Sequence, residues 1–148
     1  MDALSAADIR HYGDCVCFNL RWFSRLVTQY YERRLGASGM RFTQTPILAR
    51  LAAAPAKMAE LSEWLALERS ALLRTLQPLI EAGYVRSQPA RRGRGVELSV
   101  TPSGRRRLAE LQPEWEKVQS DVVDAIGATR WRDFMTTMEA AARKLEKN

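Results

Sequence analysis

Two cysteines and one histidine are all the thiol and imidazole in the 148 residues. So thin a supply cannot build a four-ligand zinc site without carboxylates at a dedicated spacing, and neither a metal nor a cofactor is expected. No apolar run approaches the roughly 18–20 residues of a membrane span, because charges interrupt every helix-like stretch. Residues 1–10 lack a basic segment followed by an apolar one, so export is not expected and a cytoplasmic location without a membrane partner is. The phosphate-cradling glycine loop is missing too, since Gly93 and Gly95 have no strand–loop–helix context. His11 has no identifiable Ser/Asp or Cys partner, and Cys15 or Cys17 as a nucleophile would lack a positioned base. No enzyme is expected.

What is present suffices for a single folded domain over residues 1–148. The chain is 46% hydrophobic and 27% charged, and a chain of this length buries roughly 68–70% of its unfolded surface. Its net charge of +6 is concentrated. Between Tyr84 and Arg107 lie seven arginines (residues 86, 91, 92, 94, 105, 106 and 107) and one acid, Glu97, which accounts for the whole excess. A balanced body with one basic segment is the footprint of a nucleic-acid binder, although a solvated charged surface has the same composition.

Periodicity supplies the architecture. From Asp8 to Leu35 the apolar residues Ile9, Tyr12, Val16, Leu20, Phe23, Val27, Tyr30 and Tyr31 step by three and four, one face of a long helix that Gly36 ends. Thr43 is placed as N-cap of a second helix through Ala53. Met58, Leu61, Trp64 and Leu65 predict a short third, and Leu72, Leu76, Leu79 and Ile80 a fourth that Gly83 stops. The period then changes to two at Val96, Leu98 and Val100, with Tyr84–Arg86 as the partner strand and residues 87–95 as the loop. Thr101-Pro102 starts a fifth helix, which Pro113 should kink or break, and Trp131 to Leu145 marks the last.

The order predicts a mainly α protein with a small β-hairpin. Residues 43–100 form a winged helix-turn-helix, flanked by dimerisation helices over 8–35 and 102–146. Taking Leu72 as the inner reference, Ser70, Arg74 and Gln77 fall between about 140° and 200° away, on the opposite face. Arginine pairs bidentately with guanine edges and glutamine with adenine, while serine is a short donor. Arg69 sits where the helix start can also hold a phosphate. Arg91, Arg92 and Arg94, spaced by small residues in the hairpin tip, suit phosphates or the minor groove. The predicted partners are double-stranded DNA and a second copy of the chain. An alternative is a winged-helix interaction module whose basic wing meets an acidic protein.

Four segments carry a family resemblance: Lys57-Met58-Ala59-Glu60-Leu61-Ser62-Glu63-Trp64-Leu65, Glu68-Arg69-Ser70-Ala71-Leu72-Leu73-Arg74-Thr75-Leu76, Glu81-Ala82-Gly83-Tyr84-Val85 and Val100-Thr101-Pro102-Ser103-Gly104. In this order they resemble the MarR family of bacterial transcription regulators, over nearly the whole chain. The resemblance implies a homodimer, most often a repressor, that leaves a pseudo-palindromic operator when an effector acts. The chain departs at Ala66, where the family usually has glycine, at Glu68 for aspartate, at the commonly polar positions Ala71 and Leu73, and at Pro78 inside the helix.

Cys17-Phe18-Asn19-Leu20 with Tyr31 resembles the organic-hydroperoxide-sensing branch, which implies Cys17 as a redox sensor, although a second tyrosine expected near Gln44 is absent. Cys15 and Cys17, read as helical, lie 200° apart, which would exclude a strain-free disulfide; two buried packing thiols are the plainer reading. The favoured switch is a small aromatic or phenolic ligand held by Tyr12, Trp22 and Tyr30, with Arg21 or Arg25 meeting a carboxylate. The same residues serve equally well as core and dimer packing.

Overall fold

The computed structural model describes residues 13–36, 39–90 and 95–146. His11, Tyr12 and the hairpin-tip arginines Arg91, Arg92 and Arg94 lie outside them. Two compact units divide the chain, residues 1–111 and 112–148.

In the first unit, helix α1 spans Val16–Leu35. The continuous helix expected from Asp8 does not form, because Gly13 and Asp14 make a turn and Cys15 is an extended N-cap. Glycine is a poor helix former, and the Asn19 side chain donates to the carbonyls of Gly13 (2.7 Å) and Cys15 (3.0 Å), satisfying acceptors outside the helix. A 3-10 turn at Phe42–Gln44 leads into α2, Thr45–Ala53. Thr43 therefore lies inside the 3-10 turn instead of capping. Gln44 takes the cap position, and its buried side chain accepts from the Arg41 N–H at 3.0 Å.

Strand β1, Ala56–Lys57, has no counterpart in the sequence pattern, because a two-residue strand has no periodicity to show. Helix α3 (Met58–Leu65) and helix α4 (Arg69–Glu81) follow. Next come β2 (Val85–Pro89) and β3 (Val96–Val100). The antiparallel sheet runs β1-β3-β2, with Ala56 opposite Leu98 and Ser87 also opposite Leu98. The ladder of β2 extends to Pro89 instead of ending at Arg86, and the Ala90 N–H to Gly95 O bond (3.0 Å) closes a shorter loop. Pro89 is tolerated because β2 is an edge strand.

One apolar cluster holds these elements: Ile47, Leu48 and Leu51 of α2, Leu61 of α3, Leu72, Leu76 and Leu79 of α4, and Val85 and Leu98 of the sheet. Of the residues expected on the inner face of α3, Trp64 is 54% exposed, whereas Met58 and Leu65 pack against the cluster.

Helix α5, Pro102–Ile126, begins in this unit and ends in the second. It runs through Pro113 unbroken. The lost bond falls on the carbonyl of exposed Ala109, where water can replace it. Gly127 ends it at φ 93° and α6 spans Ala128–Leu145. No residue of α6 is buried; Trp131, Phe134, Met135 and Met138 are half-buried along one stripe.

Candidate nucleic-acid interface

The turn from α3 to α4 is set by one backbone position. Ala66 adopts φ 50°, ψ 40°, the left-handed region that favours glycine. The Leu67 N–H to Ser62 O (3.0 Å) and Ala66 N–H to Glu63 O (3.1 Å) bonds close α3 in a Schellman arrangement. Glu60 reinforces the other end of α3, its carboxylate accepting the Lys57 N–H at 2.9 Å. The alanine departure thus preserves the geometry at a conformational cost.

Helix α4 divides as its periodicity predicts. Leu72, Leu76 and Leu79 are 0–1% exposed, whereas Arg69, Ser70, Arg74 and Gln77 are all exposed. One N–H of Gln77 Nε2 donates to Glu81 Oε1 at 2.8 Å. The second N–H and the carbonyl remain, the pair an adenine edge requires. Pro78, which cannot donate to the Arg74 carbonyl, is exposed and leaves the helix continuous to Glu81.

Two joints fix α4 against the hairpin and α5. Gly83 ends α4 at φ 71°, with its N–H on Ile80 O (3.0 Å) and the Tyr84 N–H on Leu79 O (2.9 Å). Thr101 caps α5: its hydroxyl donates to Gly83 O (2.6 Å) and accepts the Gly104 N–H (3.0 Å), and its own N–H donates to Tyr84 O (2.9 Å). Gly104 is required here by space. A Cβ at this position would collide with the Tyr84 carbonyl oxygen and lie 2.8 Å from Val100 Cγ2.

Of the basic segment, Arg86, Arg105 and Arg106 are exposed. Arg107 is not part of an open cationic face: it is half-buried and pairs with Glu110 at 3.0 Å.

The α1 residues separate into two groups. Arg21 and Arg25 line an open groove with Leu20 and Ser24, and exposed Trp22 is not part of its wall. Tyr30 instead accepts a hydrogen bond from Arg34 (3.2 Å), with the Arg34 and Arg33 guanidinium groups 5.4 and 6.0 Å from its ring centre. Tyr31 is buried with its ring 4.2 Å from that of Phe42, and burial pushes its phenol above the ordinary value of 10.0. Cys15 and Cys17 are exposed in the single chain, so any packing role they have lies in an interface with another chain. Because Cys15 is an extended N-cap, the 200° helical separation assigned to the pair does not apply.

Leu73 of α4 is exposed, at a position that the family resemblance marks as commonly polar. The signal was available, since it lies 100° from Leu72 and off the centre of the inner face. Among the described residues no group of three or more His, Cys, Asp and Glu side chains could hold a metal, and no helix is long and apolar enough to cross a membrane.

The fold is a winged helix-turn-helix: α3 and α4 form the helix pair, and β2 and β3 the wing. The M. tuberculosis transcriptional regulator MosR, solved in complex with DNA, is 30% identical, with 87% of this chain and 97% of that one covered and a TM-score of 0.73. AbsC, a MarR family regulator from Streptomyces coelicolor, shares the fold at 18% identity, full coverage of both chains and a TM-score of 0.77. The repressor CouR, bound to a 23-mer duplex, shares it at 16% identity, with 95% and 99% covered and a TM-score of 0.78. No protein-family model and no curated protein matches the chain. The chain belongs to the MarR family of transcription regulators.

Proposed function

We propose that this regulator is a homodimeric repressor that reads a pseudo-palindromic DNA duplex with α4 and releases it when an effector binds beside α1. The observation that carries the reading is the division of α4. One face is locked in the core at 0–1% exposure, and the other presents Ser70, Arg74 and Gln77 to solvent, with Arg69 exposed at the helix start. In this assignment Arg74 reads a guanine edge, Gln77 an adenine, and Arg69 and Ser70 meet phosphate. Arg91, Arg92 and Arg94 supply the wing contacts, and DNA-bound MosR and CouR support duplex DNA as the partner class.

The homodimer is supported by apolar surface that the single chain leaves open. Val16, Phe18, Leu20, Trp22, Phe23 and Leu26 of α1 are 36–72% exposed, and α6 has no buried residue. Helices with such faces are not stable alone, and a second copy provides the missing cover.

For the switch, a small aromatic or phenolic carboxylate meets Arg21 or Arg25, which line an open groove; Tyr12, Trp22 and Tyr30 are the proposed aromatic contacts, although Trp22 and Tyr30 stand outside the wall of that groove. A second switch is oxidation of Cys17, whose thiol is exposed in the single chain but lies on the α1 segment that the proposed dimer covers, so it requires solvent access to the thiol within the dimer. Operator release by the parent and by Cys17→Ser, with and without organic hydroperoxide, separates them. Release in the parent alone identifies the thiol, and release by aromatic acids in both identifies the ligand.

The DNA reading is tested by titrating a duplex pool and, separately, an acidic polypeptide at rising salt. Duplex binding that weakens steeply with salt, without comparable polypeptide binding, is expected. Equal affinity for the polypeptide would replace the reading with the protein-interaction alternative.

A further inference from the structure

The solvent side of α4 carries one side chain that hydrogen-bonding chemistry does not account for. Leu73 is 43% exposed and stands with Ser70, Arg74 and Gln77 in an i, i+3, i+4, i+7 stripe. The fold does not need it there. The inner positions of α4 are already filled by Leu72, Leu76 and Leu79, each 0–1% exposed. On the other flank of the polar face stand half-buried Ala71 and exposed Pro78, neither with a side-chain donor. The presented surface is therefore three hydrogen-bonding groups and one branched apolar group.

Major-groove base edges offer donors and acceptors in every pair but only one apolar feature, the 5-methyl group of thymine. We propose that Leu73 is a specificity-determining residue that packs against a thymine methyl, beside the base edges read by Arg74 and Gln77. The inference rests on α4 being the DNA-reading helix. Removing one methyl from such a contact weakens binding roughly fourfold. In a symmetric dimer the two half-sites together give roughly fifteenfold.

The experiment uses the full chain and duplexes selected from a random pool, with each symmetry-related thymine pair replaced in turn by deoxyuridine. For the parent, one pair should show the fifteenfold loss and the others little change. Leu73→Ala should bind the thymine and deoxyuridine duplexes alike while keeping the parent's thermal midpoint, because it changes an exposed position to a good helix former. Leu73→Met, still apolar, should keep most of the discrimination. A parent that prefers its selected duplex but is indifferent to deoxyuridine everywhere would overturn the role of Leu73 and leave the DNA reading standing. So would Leu73→Ala with the full thymine preference. A pool that yields no preferred duplex would overturn both.

Discussion

Replacing Ala66 by glycine should stabilise the protein, against the usual effect of adding glycine. The residue already sits at φ 50°, ψ 40°, where an L-residue costs roughly 1–2 kcal/mol and glycine nothing. Glycine makes the unfolded chain freer, which offsets roughly 0.4–1 kcal/mol. The balance is a gain of about 0.5–1 kcal/mol. No packing is lost, because Ala66 is exposed, and both bonds that close the turn are backbone bonds. With a urea m-value of about 2 kcal/mol/M, the midpoint should rise by about 0.25–0.5 M with m unchanged. Protein concentration is held fixed, since the proposed dimer would make the midpoint concentration-dependent. Affinity for DNA should not change, because the turn keeps its geometry. A midpoint that stays or falls would refute the left-handed assignment at Ala66 and with it this geometry of the turn between α3 and α4.

Gly104→Ala should lower stability by about 1–3 kcal/mol, read by thermal unfolding, because its Cβ meets Tyr84 O and Val100 Cγ2; an unchanged midpoint would show that the α5 start can shift. The raised phenol of Tyr31 means that the folded state holds its proton more tightly than the unfolded chain. That contribution is complete below the unfolded value near 10 and is lost as pH climbs through the folded one. Tyr31→Phe should therefore flatten the alkaline limb of the urea midpoint against pH. Paired charges on α1, Phe18→Glu with Trp22→Glu, should give a smaller species in sedimentation, since both side chains are at least half exposed in the single chain; an unshifted dimer would place the interface elsewhere.

Much of the DNA-reading part was legible because its signals are repeated or paired. Leucines at 72, 76 and 79 fixed the inner face of α4, Gly83 its end, and Thr101-Pro102 the start of α5. The residues that misled were single. Gly13 and Asp14 interrupt an apolar pattern that reads as unbroken, because periodicity records faces and not the local cost of a glycine. Pro113 looked like a break, yet it removes one bond whose acceptor faces water. Strand β1 was beyond reach, since two residues carry no period and its pairing with β3 is a tertiary fact. The proposed effector residues are the least legible part: Arg21 and Arg25 line one groove through their i, i+4 spacing, whereas Tyr30 is drawn to Arg33 and Arg34 on its own helix.

Whether α4 reads base edges in a symmetric pair is decided by selecting bound duplexes from a random pool. The parent should enrich an inverted repeat whose half-sites lie about 10 bp apart or a multiple of it. In the same selection Arg74→Ala should lose preference at one symmetric position, with affinity for the parent's site reduced by roughly 1–3 kcal/mol. Enrichment of no sequence by the parent, or a uniform loss on all duplexes from Arg74→Ala, would contradict base reading by α4.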